Sequence, residues 1–132
     1  MIVVDTSALM AILLQEPCAA ACRAILATAD QLMMSAATLA ECRVVADRRR
    51  IGDAMRLLVD GLMIAVVPVD GEGARRAAHA YATWGKGVHP AGLNILDCFA
   101  YALAAERGAK LLYVGEDFSR TDITPATGGS AA

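Results

Sequence analysis

Aromatic side chains are scarce in this sequence, at 5% of its residues. Any core must therefore be built from Leu, Val, Ile, Met and many Ala, in a chain that is 57% hydrophobic. A cationic surplus is also missing. The net charge is −2, so no global attraction to nucleic acid exists and only a local basic patch can supply one. No apolar run reaches the roughly 18 residues of a membrane-spanning helix. The run after Met1 is cut at Asp5 and Gln15, and no basic segment precedes it, which argues against a secretory leader. Histidine is confined to His79 and His89, far in sequence from the i,i+4 pair Cys18 and Cys22, which argues against zinc. With Cys42 and Cys98, these cysteines read as small core residues in a reducing cytoplasm.

What is present is an alternation of strand and helix signals in 132 residues, a length that suits one domain. Ile2-Val3-Val4, Gln31 to Met34, Ile64 to Val67 and Leu111 to Val114 are short apolar runs of the kind expected from buried strands. Between them lie helical stretches from Thr6 to Leu14, from Pro17 in a first turn to Thr28, and from Ala36 to Arg50 capped by Ser35. Others run from beyond Gly52 to Leu62, from Gly71 to Trp84, and from Asn94 to Arg107 with Gly108 as the stop. Residues 85–92 contain three Gly and one Pro and read as an irregular loop. Ile123-Thr124 is a candidate fifth strand. This order predicts a single α/β domain over residues 1–124, a mainly parallel sheet of four or five strands covered by helices on both faces. Residues 125–132 read as a disordered tail.

Four acidic residues stand in apolar surroundings: Asp5, Glu41, Asp97 and Asp117. Asp5 ends the first strand and Asp117 follows the fourth, while Glu41 and Asp97 lie near helix starts. In an open parallel sheet, ligands bind beyond the carboxyl ends of the strands, so right-handed crossovers would gather all four at one edge. Each also has an ordinary structural explanation. Asp5 and Asp117 suit caps, Thr38 to Glu41 matches a capping box, and Asn94 to Asp97 resembles one. Two carboxylates about 4 Å apart repel by ~4 kcal/mol at an effective dielectric of ~20. A bound cation or a shared proton removes that cost. An all-oxygen ligand set favours Mg²⁺ or Mn²⁺, and metal-assisted phosphodiester cleavage is the chemistry that follows.

The opening Met1-Ile-Val-Val-Asp5-Thr-Ser-Ala-Leu9 resembles that of PIN-domain proteins. Trp84-Gly-Lys-Gly-Val-His-Pro-Ala-Gly-Leu-Asn-Ile-Leu-Asp97-Cys-Phe-Ala-Tyr-Ala-Leu-Ala104 and Gly115-Glu-Asp-Phe-Ser-Arg-Thr-Asp-Ile123 resemble the later motifs of VapC-type toxins. The likeness spans nearly the whole chain in the right order. It implies a three-layer PIN-like fold and a Mg²⁺- or Mn²⁺-dependent endoribonuclease, the toxin of a type II toxin–antitoxin pair. It also implies a VapB-like antitoxin partner and a homodimer. The family's acids fall on Asp5, Glu41, Asp97 and Asp117, and its hydroxyl residue on Ser7. Two departures stand out: Leu96 replaces a small residue before Asp97, and Glu116 replaces an Asn before Asp117.

On this reading Asp5 and Asp97 hold the metal, with Asp117 completing the site directly or through water. Glu41 orients or deprotonates the attacking water. Ser7 hydrogen-bonds a ligand carboxylate or the scissile phosphate. Lys86 and His89, in the Gly-containing loop, are placed to touch RNA. Arg43, Arg48, Arg49, Arg50 and Arg56 form the densest basic group, which is either a second RNA contact or a solvated helix face. Leu9, Met10, Leu13, Leu14, Cys18 and Cys22 either line an apolar groove for an antitoxin helix or belong to the core. Phosphoacceptor-Asp folds fit poorly, because Ser7 stands where a dehalogenase-type phosphatase needs its second Asp and no Lys follows Lys110. A PIN-like module that binds RNA or a partner without cleaving is the non-enzymatic alternative.

Overall fold

In a computed structural model of the protein, the described residues are 1–126. Most of the expected tail, residues 127–132, lies outside them. The chain runs through strand β1 (Ile2–Val4), helices α1 (Thr6–Leu13) and α2 (Ala19–Thr28), β2 (Leu32–Ser35), α3 (Ala36–Arg48), α4 (Gly52–Gly61), β3 (Ala65–Val67), α5 (Gly71–Trp84), α6 (Ile95–Arg107) and β4 (Lys110–Leu112).

The four strands form one parallel sheet in the order β3-β2-β1-β4. Val3 lies opposite Met33 on one side and Leu111 on the other. This register divides the core, because successive side chains on a strand point to opposite faces. Val4, Met34 and Leu112 pack with Leu9, Ile12, Cys22, Cys42 and Met55 from α1 to α4. Val3, Met33 and Leu111 pack with Ala77, Ala80, Cys98 and Leu103 from α5 and α6. The result is the expected three-layer α/β/α domain. Leu9, Ile12, Met33, Met34, Leu111 and Leu112 are fully buried, each contributing about 1.5–3 kcal/mol of transfer free energy. All four cysteines are buried free thiols.

Several local expectations need correction. Pro17 precedes the α2 N-cap, Cys18, instead of opening the helix. The break expected at Gly52 falls at residues 49–51, and Gly52 is the first residue of α4. β3 is the sheet's edge and is largely exposed at Ala65 and Val66, so its apolar sequence does not mark a buried strand. The proposed fifth strand reduces to a parallel bridge between Pro125 and Leu111, which also takes the tail's first two residues alongside β4. Leu9, Met10, Cys18 and Cys22 are core residues, and only Leu14 of the suggested groove set is classed as exposed.

Candidate active site

The sheet order places a topological switch between β1 and β4. The chain leaves β1 toward β2 and β3 with its helices on one face, then returns to β4 with α5 and α6 on the other. A crevice opens at the carboxyl ends of strands flanking such a switch. Asp5 stands there as the α1 N-cap, with its side chain accepting from the Ser7 N–H. Ser35, at the end of β2, caps α3, which carries Glu41 in its second turn. Asn94 caps α6, and Asp97 closes a full capping box with it. Three helix N-termini thus begin at this edge, and their positive ends offset part of the negative charge.

The Asp5 carboxylate is 4% exposed. Its Oδ2 accepts from the Ser7 hydroxyl at 2.6 Å and the Ser7 N–H at 3.1 Å. Ser7 Oγ in turn accepts from the Val114 N–H at 2.9 Å, so one hydroxyl ties the end of β1 to the segment after β4. The Ser7 hydroxyl is thus engaged by Asp5 on one side and Val114 on the other. Asp5 Oδ1 is buried with no hydrogen-bond partner. Burial pushes the Asp5 carboxyl up to about 6, against the Ser7 bonds and with the Glu41 charge. Burial likewise pushes Asp97 up to about 7; the Asn94 N–H bond at 3.1 Å opposes this, and the charges of Asp5, Asp117 and Glu41 add to it.

All four acids therefore share one electrostatic neighbourhood, assembled from residues up to 112 positions apart. Asp117 is exposed, in the turn that follows Gly115. Gly115 has φ 103°, a conformation that side-chain-bearing residues avoid. Glu116 is also exposed, but it is Asp117 whose charge is felt at Asp97. Leu96 does not disturb the α6 start, since the capping box forms beside it. The box proposed for Thr38 and Glu41 is absent: Ser35 is the cap, and Thr38 Oγ1 is buried without a partner.

The loop at residues 85–92 is internally paired. Lys86 N–H bonds the Leu93 carbonyl, Leu93 N–H bonds the Trp84 carbonyl, and a parallel bridge joins Gly85 to Leu93. His89 Nδ1 accepts from the Ala91 N–H at 3.0 Å, and its ring meets Trp84 edge-on with centroids 4.7 Å apart. Lys86 is exposed. Arg43, Arg48, Arg49, Arg50 and Arg56 are exposed and enter no ion pair among the described residues.

Among the described residues, no three His, Cys, Asp or Glu side chains are close enough to enclose a metal ion. The donor set nonetheless fits a hard cation. Asp5 Oδ1 is an orphaned buried acceptor, and Mg²⁺ characteristically takes few protein ligands and keeps several waters. The sequence sets Thr6 only beside Ser7 and gives no partner for it. Thr6, 6% exposed, donates its hydroxyl to Glu41 Oε1 at 2.6 Å. It also accepts from the Cys42 thiol at 3.4 Å. Nothing in the sequence signals this link across 35 positions.

Fold and acidic edge together define the class. The chain belongs to the PIN domain family, whose model matches residues 2–123. It is 45% identical over 128 residues to ribonuclease VapC28 of Mycobacterium tuberculosis, a match covering 94% of this chain and 96% of that protein. In fold it is similar to the crystal structure of M. tuberculosis VapC20, a sarcin-ricin loop cleaving toxin. That likeness has a TM-score of 0.74 at 19% identity and covers 94% of this chain and 97% of the other. A toxin–antitoxin complex from Klebsiella pneumoniae is similar at TM-score 0.70 and 18% identity, covering 92% and 93%. Among the described residues, no helix is long and apolar enough to cross a membrane.

Proposed function

We propose that this protein is a divalent-metal-dependent endoribonuclease, using Mg²⁺ or Mn²⁺, and the toxin of a type II toxin–antitoxin pair. The observation that carries the chemistry is the buried Asp5 carboxylate with its unpartnered Oδ1, in the field of three other acids. Near identity of length and 45% sequence identity to a named VapC ribonuclease support RNA as the substrate. Its partners are a VapB-like antitoxin and a second copy of the chain; the fold shared with a toxin–antitoxin complex supports the first. The cytoplasm is its compartment, as its RNA substrate and buried free thiols suggest.

Asp5 and Asp97 would hold the cation, with Asp117 contributing from the exposed turn. When bound, the cation supplies positive charge to the phosphate and lowers the pKa of a coordinated water. Glu41 orients the attacking water and takes its proton. Ser7 locks Asp5 in a single orientation. Lys86 and His89, on their preformed loop, contact the RNA backbone. Hydrolysis adds water across one phosphodiester bond, breaking a P–O link.

Purified Asp5→Asn protein tests the reading: cleavage of RNA in Mg²⁺ is expected to fall about 100-fold. Undiminished cleavage would remove the acidic cluster from the mechanism. The alternative is a PIN-like module that binds RNA or a protein partner without activity. Wild-type protein that binds RNA but never cleaves it, in Mg²⁺ or Mn²⁺, would establish that alternative.

A further inference from the structure

We propose that Thr6 is a positioning residue for catalysis, its hydroxyl holding Glu41 in the orientation that receives the attacking water. The inference rests on the ribonuclease reading above and deepens it. Thr6 Oγ1 lies 2.6 Å from Glu41 Oε1, an ordinary distance for a hydroxyl donating to a carboxylate. A hydroxyl has one proton to give. Cys42 Sγ, 3.4 Å away on the other side, donates into the same oxygen. An ionised carboxylate can only accept, so the Thr6 proton goes to Glu41, and the thiol is left to donate to the Thr6 oxygen.

The elements make this link rigid. Thr6 is the first residue of α1 and Cys42 sits inside α3, 0% exposed. Glu41 is the neighbour of Cys42 on the same helix, but is only half-buried and unpaired by any cation among the described residues. Without Thr6, its three-torsion side chain would sample several rotamers beside two buried carboxylates. With Thr6, one oxygen is fixed and the other, Oε2, is left to meet water. Ser7 performs the same service for Asp5, so Thr6 and Ser7 orient two different acids from adjacent positions.

The variant Thr6→Val keeps the side-chain shape and deletes the hydroxyl. Its kcat on an RNA oligonucleotide is expected to fall roughly 10- to 100-fold, with KM changed less than about twofold. Thr6→Ser is expected to restore kcat to within about threefold of wild type. In a Glu41→Gln background, Thr6→Val should cost almost nothing further, because the two residues act as one unit. Full kcat in Thr6→Val, or equal losses in both backgrounds, would overturn the proposal. If Thr6→Val melts below the assay temperature, Cys42→Ala carries the test: a kcat loss is expected with Glu41 present and none in Glu41→Gln. The same loss in both backgrounds also overturns it. A wild-type protein that cleaves no RNA would instead defeat the ribonuclease reading itself.

Discussion

At the residue scale, the two buried acids determine how the metal-free protein responds to pH. Asp5 is raised to about 6 and Asp97 to about 7, both chiefly by burial. A carboxyl raised on folding binds its proton more tightly in the folded state. Its contribution to stability is therefore complete below the unfolded value near 4 and is lost as pH rises through the folded one. In EDTA, stability is expected to fall between about pH 4 and pH 7. The Asp5 share is on the order of 3 kcal/mol, and that of the less buried Asp97 is reduced by solvent. Urea unfolding of Asp5→Asn over the same range should show a shallower slope; an unaltered slope would contradict the raised Asp5 value. The acids themselves were legible in the sequence, because charged residues in apolar runs are conspicuous. Their partners were not. Thr6 and Cys42 look like any small helical residues, and only folding puts them against Glu41.

At the scale of elements, caps and stops followed the sequence closely. Ser35, Asp70 and Asn94 cap α3, α5 and α6 through side-chain oxygens, and Gly108 ends α6 with φ 59°. These signals are local, since each depends on the neighbouring three or four residues. The loop of residues 85–92 reads correctly as irregular, yet its shape comes from pairing Gly85 with Leu93 and packing His89 on Trp84. The loop leaves Lys86 exposed, with its backbone N–H bonded to the Leu93 carbonyl. Lys86→Ala is expected to weaken binding of single-stranded RNA and to lower the slope of log K against log salt by about 0.7. Filter binding at several salt concentrations measures this, and an unchanged slope would leave Lys86 as a solvated side chain. β3 shows the opposite failure. Its Ala-Val-Val run has the composition of a buried strand, but nothing local reveals that it lies at the sheet's edge.

For the whole molecule, the acidic edge stores a repulsion that a cation would relieve. The charges of Asp5, Glu41 and Asp117 act on Asp97, and that of Glu41 on Asp5, without the four closing around a point among the described residues. Binding confined to the native state raises stability by about 2.7 kcal/mol at a free ligand concentration 100 times Kd. Thermal melting at neutral pH is therefore expected to move upward with Mg²⁺ or Mn²⁺ and to return on adding EDTA. Asp97→Asn should abolish the gain. A melting curve indifferent to both ions, in protein that is otherwise folded, speaks against the metal site.

The sequence by itself determined the alternation of strands and helices, the helix boundaries to within a few residues, and which acids stand in apolar surroundings. Those properties depend on periodicity, caps and composition within a few residues of each position. Only the tertiary structure decided the strand order, and with it the switch between β1 and β4 where Asp5 lies. It also decided that Ser7 reaches Val114 and Thr6 reaches Glu41. The physical reason is that strand neighbours are chosen by burying both sheet faces at once. That free energy is shared by the whole core and written in no single segment.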